Sequence, residues 1–159
     1  MSAIRNNVTR LLDAHRVPYQ AFELPAEKLG AVEAAAYMGV PADQVFKTIV
    51  VTRPEKGKPI LALTPGTLEV DLKALAAALG EKKLVIPTQK EAERLTGLQA
   101  GGISPLALIN RGFQVIIDEA ALLFDEIYIS GGQRGLDIRL PVKALVELCE
   151  ASFADFARG

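Results

Sequence analysis

VFKTIVVTRPEKGKPILALT, residues 45–64, decides how the rest of the chain is read. Its first eight residues are apolar and mostly β-branched around one lysine, and PEKGKP at 54–59 supplies the proline and glycine of a chain reversal. The returning run, ILALT at 60–64, is apolar again, so the stretch reads as the clearest hairpin in the chain. Strand parity puts Lys47 on one face with Val45, Ile49 and Val51, and Phe46, Thr48 and Val50 on the other. Burying an unpaired ammonium is costly, so Lys47 has to reach solvent, a partner charge or an anionic ligand. On an edge strand its stem would cover apolar surface while its head stays in water. The residues alone leave both readings open.

Upstream of the hairpin, residues 6–16 read as a helix, with Val8, Leu11, Leu12 and His15 at helical spacing and Pro18 as its stop. A short strand over 19–24 and an alanine-rich helix over 30–38, closed by Gly39, follow. Downstream, a helix over 71–79 ends at Gly80, and KLVIP at 83–87 reads as a short strand. Thr88 opens the next helix with a capping pattern, TQKE, in which Glu91 holds the third helical position; Gly97 ends it. Strands are expected over 114–118, 126–130 and 136–140, and Pro141 opens a long amphipathic helix reaching Phe156. Strands and helices intersperse without a strict βαβ rhythm, which predicts an α/β chain with a mixed sheet and helices packed around it. Residues 1–159 read as one domain, without repeats or linkers.

Eighteen basic residues face nineteen acidic ones, for a net charge of −1. A coat for long nucleic acid carries a basic excess, so a polyanion would have to meet a local patch such as Lys56, Lys58, Lys82, Lys83, Lys90 and Arg94. The same residues also read as an ordinary solvated surface. The lone Cys149 cannot form an internal disulfide, the N-terminal residues lack the apolar core of a signal peptide, and no run is long enough to span a bilayer. A cytoplasmic address with no membrane partner is expected. His15 and Cys149 read as structural residues, and HExxH, CxxC, clustered aspartates, GxSxG, GxGxxG and Walker A patterns are absent. Neither a metal nor a cofactor is therefore expected. What remains is Lys47 and two glycine pairs, Gly101-Gly102 in TGLQAGGISP and Gly131-Gly132 in ISGGQRGLDI. These are either turn glycines or bare backbone whose N–H groups face a ligand oxygen, with no protein nucleophile beside them.

Four stretches together resemble the YbaK/ProX-type aminoacyl-tRNA editing family: DQVFKTIVV, EVDLKALAAALG, TGLQAGGISPL and FDEIYISGGQRGLDIRL. The resemblance runs from the first helix to Phe156, and the wording is nearest to the branch that deacylates Cys-tRNA(Pro). It implies a mixed α/β fold with a twisted, partly barrel-like sheet, and hydrolysis of a wrong amino acid from the 3′ end of a tRNA. Lys47 would hold the phosphate or ribose of the terminal adenosine. Gly101, Gly102, Ile103 and Ser104 would approach the aminoacyl ester, and Asp137 would help line the pocket. Phe46, Thr48, Pro105, Gly131, Gly132 and Arg134 would complete the substrate contacts. The substrate's own thiol, or water, would be the nucleophile. The acceptor end of an aminoacyl-tRNA, with tRNA(Pro) first among candidates, is the implied partner, and prolyl-tRNA synthetase a further one; the oligomeric state stays open. Two other functions remain in view: a non-catalytic module that binds tRNA ends, nucleotides or a synthetase, and a deacylase of other specificity such as Ala-tRNA(Pro).

Overall fold

A computed structural model describes residues 4–55 and 57–159, so Lys56 of the basic patch lies outside the described residues. The 45–64 stretch forms the expected hairpin, with β2 (Phe46–Val51) antiparallel to β3 (Ile60–Pro65) and Lys47 opposite Thr64. Strand β3 is central. Leu61 and Leu63 enter the larger core with Val115 and Ile117, while Ile60 and Ala62 enter a second core with Ile116. A strand covered on both faces has no polar face to alternate with, which explains the unbroken apolar run ILAL.

Strand β5 (Gln114–Asp118) runs parallel to β3, and β8 (Ser152–Ala154) parallel to β5, giving the order β2-β3-β5-β8. A second, antiparallel sheet has the order β1-β7-β6, from β1 (Gln20–Glu23), β6 (Glu126–Ser130) and β7 (Leu136–Pro141). One parallel bridge, Val45 to Tyr128, joins the two sheets edge to edge. The outer strands β1 and β8 do not pair with each other, so the twisted surface stays open. A separate ribbon pairs β4 (Glu69–Val70) with β9 (Ala157–Arg158).

Among the described residues, five α-helices surround these sheets: α1 (Asn7–Ala14), α2 (Ala31–Met38), α3 (Leu72–Leu79), α4 (Gln89–Thr96) and α5 (Val142–Cys149). Gly39, Gly80 and Gly97 end α2, α3 and α4, as the sequence implies. Thr88 caps α4 by accepting the Glu91 N–H at 3.2 Å, while the Glu91 carboxylate turns to Arg94 rather than back to the cap. The capping box is thus half formed.

Two expectations are corrected. KLVIP is not a strand: only Val85 pairs, through two backbone bonds with Thr52, and Pro87 cannot extend the ladder. The final helix does not reach Phe156. It stops at Cys149, Glu150 turns into the left-handed region at φ 51°, and the chain reverses into β8 and β9. Long-range partners outweigh helix propensity here. Residues 152–154 pair with the edge of β5, and the Asp118 carboxylate accepts the N–H groups of Phe156 at 3.0 Å and Ala157 at 2.8 Å. The Phe156 ring is fully buried beside Val51, Leu75 and Ile116.

Candidate active site

Past the Val45–Tyr128 bridge, β2 has no strand partner on that side among the described residues. Its free edge walls a cleft of about 240 Å³. Because an edge rather than a face is presented, Lys47 and Thr48 both line the cleft despite their opposite parity. Gly101 and Ile103, Ser130 and Asp137, and the first turn of α2 at Gly30 and Ala31 line the same cleft.

Lys47 is neither free nor buried alone. Its Nζ lies 3.0 Å from Glu69 Oε1, with the lysine side chain 22% exposed and the glutamate 83%. Thr48 presents a buried hydroxyl that has no hydrogen-bond partner among the described residues. Asp137 lies on β7, directly across from Ser130 on β6, so the two side chains share a face. Its carboxyl is 9% exposed and has neither a hydrogen bond nor an ion pair among the described residues. Burial pushes its pKa up to about 7, because an unpaired carboxylate is poorly solvated there.

Three loops meet beside these residues, and the glycines allow it. Gly101 adopts φ +90°, a conformation an L side chain rarely takes, and packs between Lys28 and Arg134. A Cβ on Gly102 would meet the Gln133 and Arg134 backbone at 2.9 Å. The Arg134 guanidinium donates through Nε to the Ala100 carbonyl at 2.7 Å, and Leu24 N–H donates to the Gly135 carbonyl at 2.9 Å. Gly102 N–H is used internally on Gln99 O. The N–H groups of Gly101 and Ile103 have no partner among the described residues, and both residues line the cleft. Bare backbone therefore does two jobs here: one glycine permits close packing, and its neighbour leaves a donor open.

Of the candidate residues from the sequence, the cleft gathers Phe46, Lys47, Thr48, Gly101, Ile103 and Asp137. Gly102 and Arg134 tie the loops together beside it. Ser104 is fully buried, and its Oγ accepts the Leu106 N–H at 3.2 Å, capping the short 3-10 turn Pro105–Leu108. Pro105 lies on that turn, away from the cleft. Gly131 and Gly132 close the β6–β7 hairpin: Gly131 N–H donates to Leu136 O, and Gly132 N–H to Ser130 Oγ. The sequence reading missed Ser130, Glu69 and the opening turn of α2. Ser130 was legible in principle, since it immediately precedes the glycine pair and faces Asp137 once the hairpin is drawn.

His15 is exposed at the end of α1, and Cys149 lies in α5, where burial pushes its thiol up to about 12. Neither lines the cleft. Among the described residues, no group of three His, Cys, Asp or Glu side chains is placed to hold a metal, and no helix is long and apolar enough to cross a membrane.

A model of the aminoacyl-tRNA editing domain matches residues 26–148. The chain is 34% identical over 153 residues to a protein of Enterococcus faecalis named as a Cys-tRNA(Pro)/Cys-tRNA(Cys) deacylase, EbsC, covering 95% of this chain and 92% of that one. A solved structure described as a trans-editing enzyme for prolyl tRNA synthetase superposes with a TM-score of 0.80 at 27% identity, over 99% of this chain and 100% of that chain. A hypothetical protein of known structure shares the fold with a TM-score of 0.87 at 23% identity, over 96% of this chain and 100% of its own.

Proposed function

This chain belongs to the aminoacyl-tRNA editing family, and from that premise we propose that its cleft hydrolyses the ester of mischarged aminoacyl-tRNA, with Cys-tRNA(Pro) as the substrate. One observation carries the reading at the level of chemistry. Two backbone N–H groups without a partner among the described residues, Gly101 and Ile103, line with Lys47 a cleft whose described lining holds no histidine and no cysteine. Such a site can orient an ester and stabilise the charge growing on its carbonyl oxygen, but it offers no activated side-chain nucleophile.

The attacking group then comes from the substrate. The cysteinyl Sγ adds to the carbonyl carbon, the ester C–O bond breaks, and the thiol proton passes to the departing ribose oxygen; water opens the resulting thiolactone to free cysteine. Asp137, which lines the cleft and ionises above about pH 7, relays that proton in this reading. Lys47 takes the phosphate next to the terminal ribose, and Gly101 and Ile103 donate to the carbonyl oxygen. The work is that of a trans-editing factor beside prolyl-tRNA synthetase in the cytoplasm.

A deacylation panel with Cys-, Ser-, Ala- and Pro-charged tRNA(Pro) tests this. Cysteine should be cleared at least ~100-fold faster than serine, a discrimination of about 2.7 kcal/mol, because the hydroxyl is far less acidic than the thiol. Lys47→Ala should lower clearance at least ~tenfold in a folded protein. Comparable rates on cysteine, serine and alanine would leave an editing deacylase but replace the thiol with an activated water. No turnover of any ester, with retained binding of tRNA ends, would leave a binding module.

A further inference from the structure

We propose that Glu69 is a built-in, displaceable counter-ion for Lys47, a positioning residue that an incoming phosphate must replace before the ammonium can serve the substrate. The proposal deepens the reading of the cleft above and rests on it. Among the described residues Glu69 is the acid within ion-pair distance of Lys47, at 3.0 Å. Asp137 lines the same cleft but makes no ion pair with that lysine.

The placement of Glu69 is fixed at its base and loose at its tip. Strand β4 is held by β9, with Glu69 opposite Arg158. Strand β9 is in turn held by the Asp118 carboxylate on the Phe156 and Ala157 N–H groups, and Asp71 N–H donates to Phe156 O at 2.8 Å. Arg158 does not neutralise Glu69, because its guanidinium pairs with Asp155 at 2.7 Å. The Glu69 side chain itself is 83% exposed and, among the described residues, bonded to Lys47 alone. An anchored strand thus presents an exposed carboxylate to Lys47, the one cation among the described residues that line the cleft.

An exposed pair of this kind is weak, worth about two- to fivefold in an equilibrium constant. It is weak enough for a phosphate to displace and strong enough to bias what enters. A ligand that offers only a phosphate gains little by exchanging one ion pair for another. A substrate that also fills the ester side of the cleft makes the exchange and keeps its other contacts. Glu69 therefore weakens the binding of small free phosphates and of the true substrate by the same modest factor, and a ligand needs further contacts in the cleft to make up for it.

The experiment measures binding of 5′-AMP and of adenosine by calorimetry, which needs no catalysis, alongside kcat and KM for Cys-tRNA(Pro). Glu69→Gln should tighten 5′-AMP by about two- to fivefold and lower KM by a similar factor, with kcat and adenosine affinity unchanged. The gain should vanish in a Lys47→Ala background and shrink with added salt. Glu119→Gln, an equal charge change at an exposed residue outside the cleft, should do nothing. Unchanged 5′-AMP affinity in Glu69→Gln, an equal gain from Glu119→Gln, or a gain that survives Lys47→Ala would each overturn the proposal. If Glu69→Gln tightens 5′-AMP but no charged tRNA is deacylated, the counter-ion stands and the esterase reading falls.

Discussion

The loops around Gly101 and the tail after Cys149, which carries the short strands β8 and β9, both close on distant parts of the chain, and they do so by opposite means. The loops meet around bare backbone: Gly102 abuts the Gln133–Arg134 backbone, and the Arg134 side chain ties them by reaching Ala100 O. The tail meets its partners through one buried ring and one carboxylate, Phe156 and Asp118. Removing side chains lets backbone donors face a ligand, as at Gly101 and Ile103. Adding a ring buries apolar area and stabilises the fold. The loops are therefore built for chemistry and the tail for stability, and variants can separate the two.

The largest expected effect is on the tail. Phe156→Ala empties a fully buried site in the second core and should cost about 3–5 kcal/mol of unfolding free energy, read by urea denaturation. Deacylation at low temperature, where the variant is still folded, should keep its kcat. A kcat that collapses in a folded Phe156→Ala protein would mean that the tail belongs to the active site, and the contrast would break.

Gly101→Val is the converse test. A side chain there is strained at φ +90° and meets Lys28 Cα at 3.3 Å and Arg134 Cγ at 3.5 Å. Clearance of Cys-tRNA(Pro) should fall at least ~100-fold, or about 2.7 kcal/mol in the barrier, because the donor wall moves. The denaturation midpoint should move far less than for Phe156→Ala. Full activity in Gly101→Val would take the backbone wall out of the mechanism.

The same contrast explains what could be read from the sequence. The hairpin, Lys47 and the glycine-ended helices were legible because each signal is local: β-branched runs, PEKGKP, and Gly39, Gly80 and Gly97 at helix ends. For Gly101 the residues alone left a turn glycine and a ligand-facing backbone both open, and its place beside the cleft was implied by the family resemblance. The tail was not, since VKALVELCEASFADF has a helical pattern throughout, and what diverts it is the free edge of β5 and a carboxylate at Asp118, neither visible nearby. Ser104 misled because a hydroxyl after two glycines looks exposed, whereas it caps the turn that follows. Glu69 was invisible because its approach to Lys47 depends on β9, and hence on that same tail.

The smallest expected effect, on pH dependence, sharpens the comparison most, because Asp137 is a buried group that serves the site rather than the fold. With its pKa near 7, the ionised fraction rises about threefold between pH 6.5 and 7.5, and kcat/KM for Cys-tRNA(Pro) should follow it. Asp137→Asn should be slower and lose that rise. Stability must run the other way. Burial lifts the native pKa above the ordinary 3.8, so between about pH 4 and 7 the folded chain holds a proton that the unfolded chain has released. Stability referable to Asp137 is therefore intact below pH 4, falls as pH rises towards 7, and levels off above it. Asp137→Asn should be the more stable protein at pH 8, with an advantage that shrinks as pH falls towards 4, measured by denaturation at each pH. A variant that loses both activity and stability at pH 8 would make Asp137 a structural residue like Phe156, and the division between loops and tail would no longer hold.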